Sequence, residues 1–401
     1  MLSADEAAEQ LGVKVTTLYA YVSRGHLTSH RDRDGRRSRF DPKEVEELAR
    51  RGRPRRSSRP PALDFPIATQ LTRIADHRLT YRGHDATELA RSASFEQVAE
   101  LLWTGSLPGD APRWEGTTPE VPEGIEAPGD RLRAAVAIAA ADDPFRAELH
   151  PAAVVATARR LVATLVAGLS PDPSPSVPRL RLPDARAGLE GTVAGRTWAA
   201  LAPRRPRSGM VRALNAALVL LADHELATST LAARVAASTR GDPYAVVLAG
   251  CGPLAGPLHG GASRAAHLML AAAAGPAGPR GAVADVLRTH GTLPGFGHPL
   301  YPDGDPRATA LLDALRGPAG GTRAMRVVEE LLDAARSRVP LEPNVDLALA
   351  ALTFVADMPP SAGEAIFTVA RSAGWIAHAL EEYEEPPLRF RARAVPATRH
   401  S

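Results

Sequence analysis

The feature that most constrains the fold of this chain is a long series of apolar residues at helical spacing. From residue 132 onward, apolar residues recur three and four positions apart, and almost no strand pattern follows residue 81. Ala, Leu, Val and Arg dominate the composition, and this favours helix over sheet. The main part of the chain is therefore predicted to be mainly α. The expected helices are 132–141, 152–169, 212–224, 226–239, 243–249, 264–274, 309–316, 323–336, 345–356 and 363–383.

The pattern before this helical series is mixed. Residues 67–74 and 78–81 alternate enough to predict a small hairpin around Asp76-His77. The expected short helices are 87–90 and 94–103. The expected loops are the Pro- and Gly-rich stretches 108–128 and 171–183.

Composition bears on the compartment of the protein. Hydrophobic residues are 44% and charged residues 23%, a balance typical of soluble globular proteins. The longest candidate for a membrane span that we identify, residues 214–222, is too short. The acidic start lacks the basic and apolar regions of a signal peptide. Cys251 is the only cysteine, so no internal disulfide can form and a metal–thiolate site is not expected. The expected location is cytoplasmic.

The first 51 residues predict a small helical unit with a β-hairpin. Ser3 and Glu6 form a capping-box pattern before a helix at 4–11, and a second helix fits 16–24. Two short helices joined by a tight turn make a helix-turn-helix. Asp34-Gly35 predicts a basic hairpin, or wing, over residues 30–40.

A third helix and a linker complete this part of the chain. Asp41 is the expected cap of a helix at 43–51, with Pro42 at its first position. Residues 52–61 are rich in Arg, Pro and Ser and are expected to be a linker. Residues 1–61 hold 14 Lys/Arg against 9 Asp/Glu, a net charge of +5, so the remaining residues carry 3 − 5 = −2. The basic excess therefore belongs to the N-terminal segment.

This N-terminal segment resembles the winged helix-turn-helix of the MerR and excisionase type. The matching features are Ala7-Ala8 with Leu11-Gly12-Val13, Thr17-Leu18-Tyr19 with Tyr21, and Gly35-Arg36-Arg37-Ser38-Arg39-Phe40. The resemblance implies that the second helix enters a DNA major groove and that the wing contacts phosphate. The candidate DNA contacts are Lys14, Thr16, Thr17, Tyr19, Arg36, Arg37 and Arg39. The alternative is a packing or dimerisation module whose arginines are solvated.

One loop in the main part of the chain is dense in Gly and Pro and holds two groups able to bind an anion. Residues 295–307 contain Gly295 and Gly297, followed by His298 and Arg307. Glycines let a ligand approach the backbone closely, and such a loop can hold an imidazole and a guanidinium in fixed relation. A surface connection without function is the alternative.

Four further stretches carry groups with acid–base or anion-binding chemistry. His224 ends an apolar helix, and His259 lies in a Gly-rich turn just before a helix. Asp346 lies in the first turn of an apolar helix, and Arg371 lies among apolar neighbours. Each of these residues alone has an ordinary structural explanation, such as a helix-end charge or an ion pair. Together with His298 and Arg307 they form the inventory for activating a weak carbon acid beside a polyanionic small molecule.

The body, residues 62–401, resembles citrate synthase. The motifs that carry the resemblance are Leu79-Thr80-Tyr81-Arg82-Gly83, Asp223-His224-Glu225, Gly256-Pro257-Leu258-His259-Gly260-Gly261, the 295–307 loop, Pro343-Asn344-Val345-Asp346, and Arg371-Ser372-Ala373-Gly374-Trp375-Ile376-Ala377-His378. The resemblance implies condensation of acetyl-CoA with oxaloacetate and hydrolysis of citryl-CoA to citrate and CoA, the entry step of the tricarboxylic acid cycle. No metal or tightly bound cofactor is implied, and CoA is substrate and product.

The resemblance also implies roles for the residues. Asp346 would remove a methyl proton from the acetyl thioester, His259 would hydrogen-bond the forming enol, and His298 would polarise the oxaloacetate ketone. The residues implied to bind oxaloacetate are His224, Arg307, Arg371 and Arg391, with Arg391 contributed by the other subunit and Arg389 as second choice. The residues expected to line the CoA adenine are Leu293, Pro294, Gly295, Phe296 and Gly297, within 290–297.

The implied architecture is an all-α dimer with two domains and a substrate cleft between them. The large domain would comprise 62–255 and 346–401, and the small domain 256–345. One departure from the family pattern concerns CoA, because Pro299, Pro302 and Asp303 stand where basic residues often meet its phosphates.

Three alternatives to acetyl-CoA turnover stay open at this point. Pro299 also matches related citryl-CoA lyases, so the acyl chemistry could differ. A 2-methylcitrate synthase would use propionyl-CoA, and one methylene is worth only about 1–3 kcal/mol of discrimination. A metabolite-sensing DNA-binding regulator would bind oxaloacetate or citrate without useful turnover.

Overall fold

The computed structural model describes residues 1–11, 13, 18, 27–31, 38–45, 66–170 and 191–391. These residues belong to two compact units, residues 1–68 and 69–401, and we describe each unit by itself. The predicted linker at 52–61 lies outside the described residues, as does most of the predicted helix at 16–24. The predicted loop at 171–183 is also outside them.

In the described residues of the N-terminal unit, a three-stranded antiparallel sheet lies beside the helix α1 (Ala4–Leu11). Its elements are β1 (Leu2–Ser3), α1 (Ala4–Leu11), β2 (Ser29–Arg31) and β3 (Ser38–Phe40), with strand order β1-β3-β2. The capping box is present, because the Ser3 amide donates to Glu6 Oε2 at 2.8 Å and the Glu6 amide donates to Ser3 Oγ at 3.2 Å. The apolar side of α1 packs on Phe40, so the wing strand β3 closes the small core.

Two details of this unit concern its predicted elements. The two-residue strand β1 has no signal of its own in the sequence, because its pairing with β3 is a tertiary contact. The predicted cap at Asp41 is confirmed, since the Lys43 amide donates to Asp41 Oδ1 at 2.8 Å. Residues 46–51 of the predicted third helix lie outside the described residues.

The second unit begins with a small antiparallel sheet of strand order β4-β5-β6. The strands are β4 (Thr72–Ala75), β5 (Arg78–Tyr81) and β6 (His84–Asp85). Asp76 and His77 form the turn with φ of 51° and 59°, as a two-residue hairpin requires. The hairpin is confirmed, but its first strand begins at Thr72 and not at residue 67. The reason is that the amide of Gln70 donates to the Glu381 carboxylate at 2.9 Å and does not join the ladder.

After β6, the described residues form helices joined by loops and confirm a mainly α body. The helices are α2 (Ala86–Ser92), α3 (Phe95–Thr104), α4 (Pro128–Asp142), α5 (Pro151–Leu169), α6 (Val193–Leu201), α7 (Met210–Leu221), α8 (Thr228–Ser238), α9 (Pro243–Leu254), α10 (Gly261–Ala273), α11 (Gly278–His290), α12 (Pro306–Ala319), α13 (Arg323–Arg336), α14 (Val345–Val355) and α15 (Ala362–Glu384).

The helix α15 lies at the centre of this unit. Most of its side chains are buried, and it packs against eight other helices, α3, α4, α5, α7, α8, α9, α10 and α14. Gly250 of α9 allows one close approach, because a Cβ there would lie 2.5 Å from the ring of Trp375. A helix buried on all sides is predicted to be apolar around its circumference, and residues 365–379 fit this apart from Arg371 and a few small or polar residues.

Several helix boundaries differ from the sequence prediction. The helix α7 ends at Leu221 and not at residue 224, which leaves His224 in an irregular segment. The helix α12 begins at Pro306 and not at residue 309, because Asp305 caps it by accepting from the Arg307 amide at 3.0 Å. The helices α6 and α11 were not predicted individually. Of the α11 side chains only Ala282 and Val283 are buried, so its apolar periodicity is faint.

One helix corrects our estimate of membrane-spanning segments. The helix α5 has 19 residues and a mean hydropathy of 1.6 over its most apolar window, and by length and composition it could cross a membrane. In this structure 67% of that window is buried inside the protein, where α5 packs against α4, α6 and α15. Its apolar surface is therefore used in the core of the unit.

Candidate active site

His224 is held between two carboxylates that bind the same strand. The hydroxyl of Thr72 donates to Asp223, and the amide of Ile74 donates to Glu225 Oε1 at 2.9 Å. Both flanking side chains therefore attach this segment to β4. His224 instead meets a different loop, where its Nε2 lies 3.0 Å from the hydroxyl of Tyr301.

The backbone before His224 is fixed by buried donors from two other elements. The hydroxyl of Tyr81 lies within 3.0–3.2 Å of the carbonyls of Val219, Leu220 and Asp223. The amide of Gly374, within α15, donates to the carbonyl of Ala222 at 3.1 Å. The segment that carries His224 is thereby attached to the central helix.

The absence of a side chain at Gly374 permits this attachment. A Cβ there would lie 2.5 Å from both the Ala222 carbonyl oxygen and Asp223 Oδ1. Such distances are far inside van der Waals contact, so a larger residue would force the backbone apart. The position of His224 therefore depends on a glycine on a different helix.

The loop at 295–307 is hydrogen-bonded to the segment that precedes α14. Gly295 and Gly297 have φ of 81° and 77°, a region that favours glycine. The Asn344 amide donates to the Gly295 carbonyl at 2.8 Å, and the Gly297 amide donates to the Glu342 carbonyl at 2.8 Å. Gly295 also lies against Leu347, where a Cβ would be 2.7 Å from the leucine Cβ. These contacts fix the loop of His298 against the helix of Asp346.

His298 has a defined hydrogen-bonding state. Its Nδ1 accepts from the Leu300 amide at 3.2 Å, so a neutral ring carries its proton on Nε2. Burial, with a further contribution from Arg307, lowers the pKa of His298. The rings of His298 and His224 are 5.3 Å apart, edge to face. His298 therefore presents a neutral imidazole beside His224.

Arg307 is buried and held by one carboxylate. Its Nε and Nη2 donate to the two oxygens of Asp305 at 2.9 and 2.8 Å. Asp305 Oδ2 also accepts from the Val345 amide at 3.0 Å. One buried carboxylate thus sets the position of Arg307 relative to the first turn of α14.

Arg371 retains an unused donor. Its side chain is 1% exposed, its Nε donates to the Leu221 carbonyl at 2.8 Å, and its guanidinium lies 4.8 Å from the ring centroid of Phe367. Among the residues that the structure describes, no acceptor lies within hydrogen-bond distance of the buried Nη1 atom. Burial lowers the pKa of Arg371 to about 10, so it remains charged at neutral pH. A buried cation with a free donor is suited to bind an anionic ligand.

His259 is also neutral at physiological pH. Burial, with a smaller contribution from Arg371, lowers its pKa to about 4. Its Nε2 lies 2.9 Å from Ser229 Oγ, and its ring meets Phe367 edge to face at 5.4 Å. Ser229 is fully buried in the first turn of α8. His259 therefore has a fixed orientation and no positive charge.

Asp346 lies in the first turn of α14 and has the chemistry of a general base. Asn344 caps the helix, with its side-chain oxygen accepting from the Asp346 amide at 3.0 Å. Burial raises the pKa of Asp346 to about 6, against the opposing effect of Arg307. A carboxyl group with this pKa is deprotonated at neutral pH and is a stronger base than an ordinary aspartate.

The six predicted residues lie in one electrostatic cluster. Burial is the largest cause that lowers the pKa of His224. Four neighbouring groups lower it further, namely Arg307, Arg371, His298 and His259. The charges of Arg307 and Arg371 also lower the pKa of Asp346, against the larger effect of burial. The site therefore combines three neutral imidazoles, one basic carboxylate and two guanidiniums. Such a set can remove a proton from carbon, stabilise an enol and bind a dicarboxylate.

Sequence reasoning did not single out Tyr301, Ser229 and Asp305. Tyr301 is 2% exposed and Asp305 is 2% exposed, so both are as buried as the residues that they orient. The Asp-Pro sequence before Arg307 is a helix-start signal that could have identified Asp305. We find no comparable signal for the contacts of Tyr301 and Ser229 with the two histidines.

The residues predicted to line a nucleotide are only partly available. Leu293 and Phe296 are buried, Pro294 is partly exposed, and the backbones of Gly295 and Gly297 are bonded to residues 342–344. Nearby, Asp303 is exposed and lies 3.5 Å from His77 Nε2, at the turn of the hairpin. An acidic group with a histidine partner therefore occupies a place where basic residues were expected.

The C-terminal candidates make no hydrogen bond to the six clustered residues within the described part of the chain. Arg389 is held by Glu382, with Nε and Nη2 each 2.6 Å from a carboxylate oxygen. Arg391 is exposed and makes no hydrogen bond or ion pair with the described part of the chain. Its predicted role across a subunit interface stays a prediction.

The predicted DNA contacts fall mostly outside the described residues. Lys14, Thr16, Thr17, Tyr19, Arg36 and Arg37 are all outside them. Arg39 lies on β3, where it is partly exposed.

Within the described ranges, no group of three or more His, Cys, Asp or Glu residues is placed to hold a metal ion.

Comparisons with known proteins point to one family for the body and another for the N-terminal unit. The family model described as "Citrate synthase, C-terminal domain" matches residues 66–393, and "Helix-turn-helix domain" matches residues 1–53. "Citrate synthase 2" of Bacillus subtilis is 31% identical over 363 residues, which is 83% of this chain and 94% of the relative. "2-methylcitrate synthase 2" of Corynebacterium glutamicum is 28% identical, over 77% of this chain and 86% of the relative.

Solved structures agree on the fold. The crystal structure of citrate synthase from Pyrobaculum aerophilum is 28% identical with a TM-score of 0.63, covering 84% of this chain and 91% of that chain. Citrate synthase from Thermotoga maritima has a TM-score of 0.63 and 25% identity, covering 82% of this chain and 93% of that chain. The match extends over the unit that contains the six clustered residues.

Proposed function

Because the chain belongs to the citrate synthase family, we propose that it condenses acetyl-CoA with oxaloacetate and hydrolyses the citryl thioester to citrate and CoA. The observation that carries this proposal is the cluster of Asp346, His259 and His298 with two buried arginines. Its reaction class is acyl transfer with conversion of the acyl group into an alkyl group, at the entry of the tricarboxylic acid cycle.

Asp346 is the proposed base of the first step. Its carboxylate takes a proton from the methyl carbon of the thioester, and the electron pair moves to the thioester oxygen. Burial raises the pKa of Asp346 to about 6, which makes the carboxylate more basic while leaving it ionised at pH 7. The opposing arginine charges keep the pKa from rising further.

His259 is the proposed hydrogen-bond donor to the enol oxygen. A neutral imidazole shares a proton with an enol better than an imidazolium does, since the acidities are closer. The pKa of about 4 keeps His259 neutral, and Ser229 holds its ring.

His298 is the proposed acid at the ketone. The enol carbon attacks the ketone carbon of oxaloacetate, and the new alkoxide takes the proton that His298 carries on Nε2. The proton that Asp346 took from the methyl carbon then restores the neutral imidazole and the Asp346 carboxylate. The Leu300 amide occupies Nδ1 and leaves Nε2 as the donating atom. Water then cleaves the citryl thioester to give citrate and the CoA thiol.

Four residues are proposed to bind the carboxylates and ketone of oxaloacetate. His224, Arg307 and Arg371 belong to the cluster, and the free Nη1 of Arg371 is the clearest site for a carboxylate. The fourth is the partner subunit's Arg391, in a homodimer. Closure of the proposed small domain over the cleft would exclude water from the enol.

CoA is proposed to lie along residues 293–297. The exposed Asp303, paired with His77, offers no positive charge to a phosphate there. We therefore expect weaker binding of the CoA phosphates at this loop, unless cations elsewhere contact them.

The second candidate reaction is synthesis of 2-methylcitrate from propionyl-CoA. It is favoured by the relatives at 28–30% identity that are 2-methylcitrate synthases, from Corynebacterium glutamicum and Mycobacterium tuberculosis. The test is an assay of CoA thiol release with oxaloacetate and each thioester in turn, followed by identification of the product. A higher kcat/KM for acetyl-CoA supports citrate synthesis, and a higher value for propionyl-CoA replaces it with 2-methylcitrate synthesis.

DNA binding is a separate proposal for the N-terminal unit. It is supported by the helix-turn-helix match over residues 1–53, by the β2–β3 wing, and by the net charge of +5 over residues 1–61. A regulator that senses oxaloacetate or citrate without turnover is the alternative, and the assay above distinguishes it because such a protein releases no thiol.

A further inference from the structure

Tyr301 contacts three residues of the cluster from one position. Its hydroxyl lies 3.0 Å from His224 Nε2, and its ring centroid lies 5.0 Å from that of His298. The guanidinium carbon of Arg307 lies 5.4 Å from the same ring centroid. One side chain therefore links a histidine that follows α7 to two groups of the 295–307 loop.

The backbone of Tyr301 is held between two consecutive turns. Its amide donates to the His298 carbonyl at 3.1 Å, and its carbonyl accepts from the Gly304 amide at 3.2 Å. The side chain is only 2% exposed. A buried side chain whose backbone makes two hydrogen bonds has few alternative rotamers, so the position of the hydroxyl is fixed.

The phenol of Tyr301 and the imidazole of His224 are both neutral at pH 7, so they can share one hydrogen bond. Burial raises the pKa of Tyr301 to about 12, so the phenol keeps its proton. His224 is neutral at pH 7 because burial holds its pKa well below the ordinary value. A phenol can donate to or accept from a neutral imidazole, and it can therefore satisfy Nε2 in either tautomer.

We propose that Tyr301 is a positioning residue that holds the imidazole of His224 in the orientation that binds oxaloacetate. This inference rests on the proposed function. Without the hydroxyl, Nε2 would lie in a buried place lacking this partner, and the ring could rotate away from the binding orientation. The aromatic ring supports His298 and Arg307 separately, so the two parts of the side chain can be tested apart.

The experiment is Tyr301→Phe, which removes the hydroxyl and keeps the ring. Oxaloacetate binding is measured by calorimetry, and steady-state kinetics use whichever of acetyl-CoA and propionyl-CoA the unaltered protein turns over faster. We expect Kd and KM for oxaloacetate to rise about 3- to 10-fold, the size expected for one lost hydrogen bond. The kcat should change less than about twofold, since binding and not the chemical step is affected.

The matched control is Tyr244→Phe. Tyr244 is 3% exposed, and its hydroxyl donates to Asp143 Oδ2 at 2.8 Å, away from the cluster. This variant should leave both oxaloacetate constants unchanged. Thermal unfolding of both variants shows whether a loss of stability accompanies each lost hydroxyl bond.

A double-mutant cycle with His224→Ala tests whether Tyr301 acts through His224. We expect Tyr301→Phe to add no further loss of oxaloacetate affinity in the His224→Ala protein. Equal oxaloacetate affinity in Tyr301→Phe and the unaltered protein would overturn the proposal, as would fully additive losses in the cycle. If the unaltered protein binds oxaloacetate but releases no thiol, the proposed reaction is wrong and the binding measurements still decide the role of Tyr301.

Discussion

Asp305 accepts a hydrogen bond at 3.0 Å from the backbone N–H of Val345, which lies 40 residues further along the chain. The same carboxylate holds Arg307 through two hydrogen bonds. A proposed substrate-binding arginine and the helix of the proposed base therefore share one buried anchor. The geometry of the site depends on this carboxylate although it need not touch the substrate.

Asp305→Asn is expected to weaken both attachments. An amide lacks the charge that balances Arg307 and cannot offer two anionic oxygens to its guanidinium. Removing one partner of a buried ion pair costs about 3 kcal/mol or more of unfolding free energy. We expect a lower denaturation midpoint and a higher KM for oxaloacetate. The control is Asp303→Asn in the same loop, whose side chain is 81% exposed and should cost less than about 0.5 kcal/mol. Equal effects of the two variants would contradict the anchoring role.

The rate should depend on pH through Asp346. Burial raises the pKa of its carboxyl to about 6, and the proposed base works only when deprotonated. We expect kcat/KM for the acyl-CoA to fall about tenfold per pH unit below pH 6 and to level off above it. His259, with a pKa of about 4, should stay mostly neutral between pH 5 and 8. The measurement is kcat/KM from pH 4.5 to 8, and a profile that is flat from pH 5 to 7 would contradict the assignment.

Gly374→Ala should displace the segment that carries His224. The new Cβ would lie 2.5 Å from the Ala222 carbonyl oxygen, so the backbone contact between α15 and this segment must open. We expect a loss of about 1–3 kcal/mol of stability, together with weaker oxaloacetate binding. The control is Gly252→Ala, also within a helix, where a Cβ meets no atom within 4 Å. That change should be neutral or stabilise by up to about 1 kcal/mol. Unaltered oxaloacetate affinity in Gly374→Ala would show that His224 does not depend on this contact.

Deleting residues 1–61 should separate the two proposed activities. Thiol release should stay within about twofold, because all six clustered residues belong to the second unit. The full chain should bind duplex DNA with an affinity that falls as salt rises, and the shortened chain should not. Loss of turnover would show that the N-terminal unit is part of the enzyme. Absence of DNA binding by the full chain at low salt would favour a packing role for this unit.

Much of the fold could be predicted from the sequence because it depends on local patterns. The apolar periodicity of α15 and the Asp76-His77 turn signal are both local features. The apolar pattern of α11 is faint in the sequence because only two of its side chains are buried. The strand β1 exists only through its pairing with β3. The backbone just after α7 is bonded to Gly374, which lies on a helix more than 150 residues away, and no local pattern records this contact.

The candidate site also combines local motifs, which the sequence predicts, with contacts between distant positions, which it does not. Histidines, an aspartate and arginines in short motifs are visible in the sequence. The contacts that orient them join distant positions, such as the 77 residues between His224 and Tyr301 or the 30 residues between Ser229 and His259. The pKa of Asp346 likewise depends on burial, which no short motif encodes.

The central claim is that Asp346 removes the proton from the thioester, and Asp346→Asn tests it most directly. The fold should be preserved. Because the folded-state pKa of Asp346 is about 6 and exceeds the ordinary 3.8, the stability that this group contributes to the fold is lost as the pH rises from 3.8 through 6. The variant should therefore unfold at the same or a higher temperature at pH 8.

The deciding measurement is oxaloacetate-dependent release of the CoA thiol at pH 8 by the unaltered protein, Asp346→Asn and the control Asp357→Asn, just beyond the other end of α14. We predict rapid release by the unaltered protein and the control, and a fall of about 100- to 10,000-fold in Asp346→Asn. Release by Asp346→Asn within tenfold of the unaltered protein would contradict the account.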